Sequence, residues 1–364
     1  MNTTLNRFFS IFLVMAVFVS QGCLYAGKQV TPEMASTQED SELLWYDAGD
    51  LLVEGKGWDD TENFWERLPA RAKGNVPEAV WKLSKHTAGL CVRFITDSRT
   101  IGAIWDGGGA MYHMAATGNS GLDLYMKETD GWRFIAVGKP LEQRTMKVLK
   151  EELPGTSQEY LLYLPLYNDV TELKIGIDEG ASIAPAEKRK TRPILFYGTS
   201  ITQGGCASRC GMCHPALLGR WLDREVINLG FSGAGKMEPV MADLVAEQNP
   251  EIFVLECLPN MTTQMVTERI RPFVHALRKA HPETPILLVE NPYNHGDTAG
   301  NVALRKEYEI LKKENVKNLC YLEGEKLLPG PENGTVDGVH PTDLGFYRMA
   351  VAFRPVIKEI LNNR

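Results

Sequence analysis

The chain has 364 residues, of which 44% are hydrophobic and 23% are charged, so it has the composition of an ordinary globular protein of about two domains. Its formal net charge of −7 at pH 7 excludes the overall basic character that attracts nucleic acid or an anionic membrane surface. We therefore expect neutral molecules as partners, and no nucleic acid.

The first residues have the layout of a signal peptide. One Arg precedes an apolar run at residues 8–19, which is shorter than the roughly 20 apolar residues that a membrane-spanning helix needs. We expect residues 1–22 to direct export, with the mature protein periplasmic, secreted or on the cell surface. Cys23 could carry a lipid anchor, which is the only membrane contact we expect, and the sequence leaves that choice open.

The next segments predict a tether and an all-β domain. Residues 23–41 are polar and lack periodicity, as expected of a tether. Residues 42–183 contain short apolar or alternating runs between turn residues, which predicts an antiparallel β-sandwich. Residues 184–192 are charged and are the expected linker. The predicted strands include 90–96, 100–105, 122–127, 132–138, 159–166 and 172–177.

From residue 193 to residue 364, short apolar strands alternate with amphipathic helices. This pattern predicts an α/β domain in which helices cover both faces of a parallel five-stranded sheet. In such sheets, functional residues gather at the carboxyl ends of the strands. The predicted strands are 193–198, 225–230, 251–257, 285–291 and 318–324, and the predicted helices lie near 214–222, 237–248, 262–281, 299–315 and 343–362.

Polar or small residues follow four of these strands. Ser200 follows the first strand, Gly233 the second and Asn260 the third, while Asp337 and His340 follow the fifth. Each has a structural alternative, because a Ser can cap a helix, an Asn often lies in a turn, and D-x-x-H also occurs in surface turns. Their order at successive strand ends favours a shared site, in which a carboxylate orients a histidine base.

On these residues, the second half resembles the SGNH (GDSL-like) hydrolase family, esterases whose four sequence blocks carry Ser, Gly, Asn and His. The resemblance implies a three-layer, flavodoxin-like fold. It also implies that Ser200 is the nucleophile, that Asp337 and His340 complete a triad, and that Ser200, Gly233 and Asn260 form the oxyanion hole. No metal or cofactor is implied.

The chain departs from the family pattern at two places. Thr199 stands where the first block usually has Asp, and residues 258–261 read Leu-Pro-Asn-Met where the third block has Gly-x-Asn-Asp. In the first half, GLDLY at 121–125 resembles the GxDLY-type β-sandwich domain, jelly-roll-like, that precedes some bacterial SGNH esterases. Together with the expected export, the two resemblances imply a serine esterase that removes acetyl or another short acyl group, with an acylated carbohydrate or small ester as substrate.

Two other functions compete with this interpretation. Cys206, Cys210 and Cys213 form C-x3-C-x2-C, which resembles the iron-sulfur motif of radical SAM enzymes, although export to an oxidising compartment argues against such a cluster. We expect instead that one or two disulfides staple this loop. The chain could also be a non-catalytic glycan-binding surface protein, but every catalytic position holds a competent residue.

The remaining candidates have simpler expected roles. Asn294 and His295, after the fourth strand, are candidate substrate contacts, and Glu256 is expected to support the site structurally. Core packing is the more frequent role of a Trp in a strand than stacking on sugar, and we expect it for Trp105 and Trp132. Surface or capping roles are expected for His214, His275 and His281.

Overall fold

The computed structural model describes residues 30–140, 142–292, 298–328 and 333–362. The expected signal peptide, Cys23, Asn294 and His295 lie outside the described residues. Within the described ranges, no helix is both long and apolar enough to cross a membrane.

The first half forms two antiparallel sheets that enclose one hydrophobic core, together with two short helices. The elements are β1 (Ser36–Gln38), β2 (Ser41–Asp47), β3 (Leu52–Glu54), α1 (Glu78–Ser84), β4 (Cys91–Thr96), β5 (Ile101–Asp106), α2 (Ala116–Asn119), β6 (Leu122–Glu128), β7 (Gly131–Gly138), β8 (Arg144–Lys150), β9 (Gln158–Tyr163), β10 (Leu173–Ile177) and β11 (Ile183–Pro185). One sheet has the order β1-β2-β10-β5-β8, and the other has β11-β4-β9-β6-β7 with β3 paired to β4. This architecture confirms the predicted all-β sandwich.

The sandwich reaches into both segments that the sequence suggested were connections. Strand β1 falls inside the expected tether and pairs with β2, and β11 takes up the start of the expected linker and pairs with β4. Strand β8 was not predicted, because it lies at a sheet edge with most of its side chains exposed or half-buried and so lacks a clear apolar alternation. Trp105 packs in the core as expected, and its Nε1 donates to the carbonyl of Ser120 over 2.9 Å.

The second half is the predicted α/β domain. Its elements are β12 (Ile194–Gly198), α3 (Ser200–Gln203), α4 (His214–Leu222), β13 (Val226–Gly230), α5 (Pro239–Ala246), β14 (Ile252–Glu256), α6 (Thr263–Ala280), β15 (Ile286–Val289), α7 (Ala299–Lys313), β16 (Leu319–Leu322) and α8 (Asp343–Asn362). The parallel sheet has the order β13-β12-β14-β15-β16, which is the flavodoxin-like arrangement.

Side chains that alternate between the two faces of the sheet build the three layers. Leu195 and Tyr197 of β12 face the core shared with α5, α6 and α7, whereas Ile194 and Phe196 face the core shared with α4 and α8. Because successive side chains of a strand point to opposite faces, a continuous apolar strand must be covered on both sides. The predicted layered fold is therefore confirmed.

The GLDLY motif joins the two halves. Asp123 is fully buried, and its carboxylate accepts hydrogen bonds from Arg209 Nη1 at 2.7 and 2.9 Å, from the Gly211 N–H at 2.9 Å and from the Tyr125 hydroxyl at 2.9 Å. Burial raises the pKa of Asp123, while Arg209 acts in the opposite direction. The motif therefore clamps the cysteine-containing loop of the α/β domain onto the sandwich.

Arg67 makes a second connection, to the strand that leads to Gly233. It is 1% exposed, and its guanidinium donates to the carbonyl oxygens of Asn228 at 3.0 Å and Gly230 at 2.8 Å, both in β13. Burial lowers the pKa of Arg67 to about 9. Several apolar side chains from residues 58–81 join the same core as β13, so the two halves share hydrophobic cores as well as polar contacts.

Candidate active site

The turn after β12 presents Ser200 at the carboxyl edge of the sheet. Thr199 is the N-cap of α3, and its side chain accepts from the Ile201 N–H over 3.3 Å. Thr202 completes a capping box by accepting from the Thr199 N–H over 3.2 Å. Since Thr199 caps the helix, the Ser200 side chain is available for other contacts, and the residue is 7% exposed.

Ser200, His340 and Asp337 form a continuous chain of hydrogen bonds. Ser200 Oγ lies 3.0 Å from His340 Nε2, and His340 Nδ1 lies 2.8 Å from Asp337 Oδ2. When the Nδ1–H of a neutral imidazole donates to the carboxylate, Nε2 is the acceptor for the serine hydroxyl. The structure thus brings together three residues that are up to 140 positions apart, in an arrangement suited to removing the serine proton.

A tight turn fixes the position of the Asp337 carboxylate. Asp337 Oδ1 accepts from the backbone N–H groups of Val339 at 3.0 Å and His340 at 2.8 Å. Gly338 has a φ of 85°, a conformation that a side chain would strain, and this allows the chain to fold back on Asp337. Partial burial acts to raise the pKa of Asp337, but the hydrogen bonds from His340 and Val339 outweigh it and lower the pKa to about 2.

The candidate oxyanion residues lie on segments that touch one another. Asn260 Nδ2 lies 3.4 Å from the Phe231 carbonyl oxygen and 3.3 Å from that of Gly235, so its amide reaches the loop that contains Gly233. The Phe231 N–H donates to the carbonyl of Gly198, directly before the nucleophile turn, over 3.0 Å. The altered third block therefore still delivers its asparagine to the loop that follows β13.

The sandwich contributes residues that sequence reasoning missed. The Tyr167 hydroxyl donates to the Ser200 carbonyl over 3.1 Å, and Gln203 of α3 donates to the Leu166 carbonyl over 3.0 Å. The His113 ring lies edge-on to the ring of His340, with 5.5 Å between centroids. No local motif marks these residues, because only the packing of the two domains brings them to the site.

Glu256, at the end of β14, contacts α3, the helix that begins at Ser200. Its carboxylate accepts from Thr202 Oγ1 at 3.1 Å and lies 3.1 and 3.0 Å from His214 Nε2. The expected structural role of Glu256 agrees with these contacts. The expected surface or capping role of His214 is wrong, because His214 is completely buried, whereas His275 lies at the surface beside Glu314.

The cysteines do not form the expected staple. All six cysteines among the described residues are free, and Cys206, Cys210 and Cys213 are buried. Cys210 Sγ faces the Gly121 carbonyl at 3.0 Å, and Cys213 Sγ faces the Cys210 carbonyl at 3.6 Å. The disulfide expectation is therefore wrong, and within the described ranges the three thiols do not converge as a ligand group.

One group of side chains near Ser200 has the types and spacing of metal ligands. The ligand atoms of His113, Cys206 and His340 lie within 4.8 Å of one another. Three ligands are too few for a structural zinc site, which uses four, and a catalytic zinc site, which takes three, needs a cysteine ligand as the thiolate. Burial, helped by the charge of Asp337, raises the pKa of Cys206 to about 11, and His340 Nε2 already faces Ser200. The three side chains therefore fit a metal ion poorly.

Comparisons with known proteins agree with this architecture. Residues 191–358 match the model of the GDSL-like lipase/acylhydrolase family, and residues 43–183 match the GxDLY model of the N-terminus of SGNH hydrolase-type esterases. A comparison with curated proteins gives no match.

Solved structures share the fold over both domains. A protein from Bacteroides ovatus described as a GDSL-like lipase has 37% sequence identity and a TM-score of 0.83, over 88% of this chain and 98% of that chain. The salicylyl-acyltransferase SsfX3 from a tetracycline biosynthetic pathway has 18% identity and a TM-score of 0.71, over 90% and 97% of the two chains.

A family two carbohydrate esterase from Clostridium thermocellum, in complex with cellohexaose, has 14% identity and a TM-score of 0.57, over 76% of this chain and 93% of that chain. At such low identity, this structure and the acyltransferase show the fold alone. The identity and coverage of the Bacteroides protein, together with the two family models, show that the chain belongs to the GDSL-like (SGNH) lipase/acylhydrolase family, with a GxDLY domain at its N-terminal side.

Proposed function

We propose that the protein is an exported serine esterase that hydrolyses acetyl or other short acyl esters of carbohydrates. The observation that carries the proposal is the hydrogen-bond chain from Ser200 Oγ through His340 to Asp337, with distances of 3.0 and 2.8 Å. These hydrogen bonds lie at the carboxyl edge of the parallel sheet, in a protein of the SGNH family.

The proposed mechanism uses only side chains and backbone groups of this chain. His340 Nε2 takes the proton of Ser200, and the serine oxygen attacks the ester carbonyl carbon. The N–H groups of Ser200 and Gly233 and the amide of Asn260 stabilise the oxyanion. His340 then protonates the departing alcohol, and water repeats the sequence on the acyl-enzyme to release the acid. Asp337 holds the imidazole and stabilises its charged form.

The carbohydrate part of the proposal rests on analogy. A carbohydrate esterase solved with cellohexaose has the same two-domain fold, and the negative net charge is compatible with a neutral glycan substrate. A shared fold does not determine a substrate, so the assays vary both the alcohol and the acyl group. The export part rests on the apolar run at residues 8–19.

The test is acetate release from p-nitrophenyl acetate and from acetylated xylan. Ser200→Ala should abolish release from both, and Asn260→Ala should lower turnover on the order of 100-fold or more, the effect of losing one oxyanion donor. Ser182→Ala, whose hydroxyl bonds Asp97 in the sandwich, is the matched control and should keep full activity. Binding of acetylated xylan without acetate release would favour the glycan-binding alternative.

A further inference from the structure

We propose that Tyr112 and His113 of the β-sandwich form the subsite for the alcohol part of the ester, and that this subsite selects a sugar ring. The inference rests on the proposed esterase function and extends it. It assigns to the N-terminal domain a direct part in substrate choice, in addition to its contacts with the fold of the α/β domain.

The rings of His113 and Tyr112 continue a row that begins with the ring of His340, beside Ser200. Ser200 Oγ contacts the His340 ring, the His113 ring lies 5.5 Å from the His340 ring, and the Tyr112 ring lies 4.5 Å from the His113 ring. Tyr112 is fully exposed, while His113 is half-buried. A molecule bound at Ser200 that extends past His340 would therefore meet His113 first and then the open Tyr112 ring.

The chemistry of the reaction decides which part of the ester lies there. When the bond between the serine oxygen and the carbonyl carbon has formed, the bond from that carbon to the alcohol oxygen breaks. The proton that His340 took from Ser200 passes from Nε2 to this alcohol oxygen. The alcohol oxygen must therefore lie within hydrogen-bond reach of His340 Nε2, so the groups beside His340 contact the alcohol rather than the acyl chain.

The loop that carries the two rings is anchored on both sides. Met114 is 5% exposed and packs in the core that includes Cys206 and Phe346, and Met111 packs against the same core. These anchors flank Tyr112 and His113 and leave them at the surface beside the site. A mobile tip would lose more conformational entropy on ordering around a ligand, so the anchoring favours a pre-formed subsite.

Hydrogen bonds extend the anchoring to the catalytic segments. Thr117 Oγ1, just after the loop, donates to the Ser208 carbonyl over 2.6 Å. The Ser208 N–H in turn donates to Asp343 Oδ1 over 2.9 Å, at the start of the helix that follows His340. The loop of the sandwich is thus tied to the segment that follows Ser200 and, through Ser208, to the segment that follows His340.

Polar and apolar surfaces are combined in the way that a sugar requires. The half-buried imidazole of His113 offers one polar contact for a hydroxyl group. The exposed Tyr112 ring offers a flat apolar surface with a polar edge. A pyranose ring presents hydroxyls at its edge and C–H groups on its face, whereas a small aliphatic alcohol cannot reach both groups.

The test compares esters that differ only in the alcohol. Wild type, Tyr112→Ala and His113→Ala are assayed by acetate release from acetylated xylo-oligosaccharides and from ethyl acetate. Each substitution should lower kcat/KM on the oligosaccharide by about three- to tenfold, mainly through KM, and leave ethyl acetate within about twofold of wild type. Tyr112→Trp should restore the oligosaccharide activity, because it restores an aromatic face.

Two controls separate the subsite from general damage. Phe64→Ala removes another exposed aromatic ring of the first half, one that packs on Lys56 and Trp65, and should change neither substrate. Exchanging acetyl for butyryl on the same sugar should leave the ratio of wild type to variant unchanged, since the subsite contacts only the alcohol.

The outcomes distinguish this inference from the proposed function. Suppose that wild type hydrolyses both esters. If the variants then lose the same activity on both esters, or lose no activity on either, the proposed subsite is wrong and the proposed esterase function is unaffected. If wild type hydrolyses neither ester and releases acetate no faster than Ser200→Ala, the proposed esterase function is wrong, and so is the subsite that rests on it.

Discussion

The hydroxyl of Tyr167, in the sandwich domain, donates to the backbone carbonyl of Ser200 over 3.1 Å. The same carbonyl also accepts from the N–H groups of Gly204 at 3.0 Å and Gly205 at 2.9 Å. The nucleophile turn is therefore held from its own domain and from the neighbouring one, and the tyrosine can be removed without leaving the carbonyl unpaired.

Tyr167→Phe should therefore lower stability modestly and leave the chemistry largely intact. One neutral hydrogen bond contributes about 0.5–1.5 kcal/mol, so we expect a decrease in Tm of about 1–4 °C. Tyr160→Phe is the matched control, because the Tyr160 hydroxyl is buried without a hydrogen-bond partner within the described ranges. Its removal should be neutral or stabilising. Equal losses for the two variants would contradict the role of the Tyr167 contact.

Asp337→Asn should reduce kcat on the order of 10²–10⁴-fold, because an amide cannot stabilise the imidazolium or select the required tautomer in the same way. The substitution keeps the size of the side chain, so KM should change little. Steady-state kinetics on p-nitrophenyl acetate would measure both parameters. A kcat within a few-fold of wild type would show that His340 is oriented by some other group.

The stability effect of Asp337→Asn should depend on pH. The pKa of Asp337 is lowered to about 2, so the folded state favours its ionised form relative to the unfolded state. The contribution of the carboxylate should be fully present above about pH 4 and should disappear as the pH falls towards 2. Denaturant titrations of wild type and variant at several pH values would show this, and a difference that persists in strong acid would contradict it.

Gly198→Ala should displace the nucleophile turn. A Cβ at Gly198 would lie 2.0 Å from Thr202 Oγ1 and 2.8 Å from Thr202 Cβ, so the start of α3 would have to move. A 1 Å displacement of a catalytic group can cost on the order of 100-fold in rate. Gly300→Ala is the control, since a Cβ there meets only ordinary contacts at 3.7 Å or more. Equal activity in the two variants would show that the turn tolerates a larger residue.

The buried thiols should resist alkylation in the native protein. Burial raises the pKa of Cys213 to about 11 and the pKa values of Cys210 and Cys257 well above that of a free thiol, so few thiolates form at neutral pH. Cys320 is half-buried and should react first. Peptide mapping after iodoacetamide treatment, with a denatured sample as control, would rank the sites. Loss of labelling even in the denatured sample would reveal a disulfide.

The parallel strands could be predicted from sequence because their burial on both faces leaves a direct apolar signal. Strands β12, β14 and β15 are examples, and all three were expected within a few residues of their ends. Strand β8 escaped prediction because an edge strand with exposed side chains has no such signal. The burial of His214 was also missed, since its hydrogen-bond partner Glu256 lies 42 residues away and two of the rings that stack on it, Phe346 and Phe353, lie in α8.

The candidate triad could be predicted because each member follows a strand of one sheet, and the topology of a parallel sheet brings such positions together. Tyr167 and His113 could not, because they belong to the other domain and nothing near them in the sequence indicates chemistry. Domain packing, unlike strand order, depends on the shapes of two complete surfaces. The residues near the site that could not be predicted from the sequence are therefore those that the sandwich domain contributes.

Glu256→Ala should destabilise the protein strongly, because it leaves the buried His214 Nε2 and Thr202 Oγ1 without their acceptor. A buried polar group left without its partner costs about 1–3 kcal/mol, so the two groups together should cost about 2–6 kcal/mol. Glu314→Ala is the matched control, because Glu314 lies 2.9 Å from the Nε2 of the exposed His275, where an ion pair contributes about 0–1 kcal/mol. Denaturant titration measures both losses. Similar small losses would mean that the region around Thr202 and His214 relaxes to satisfy both groups without the carboxylate.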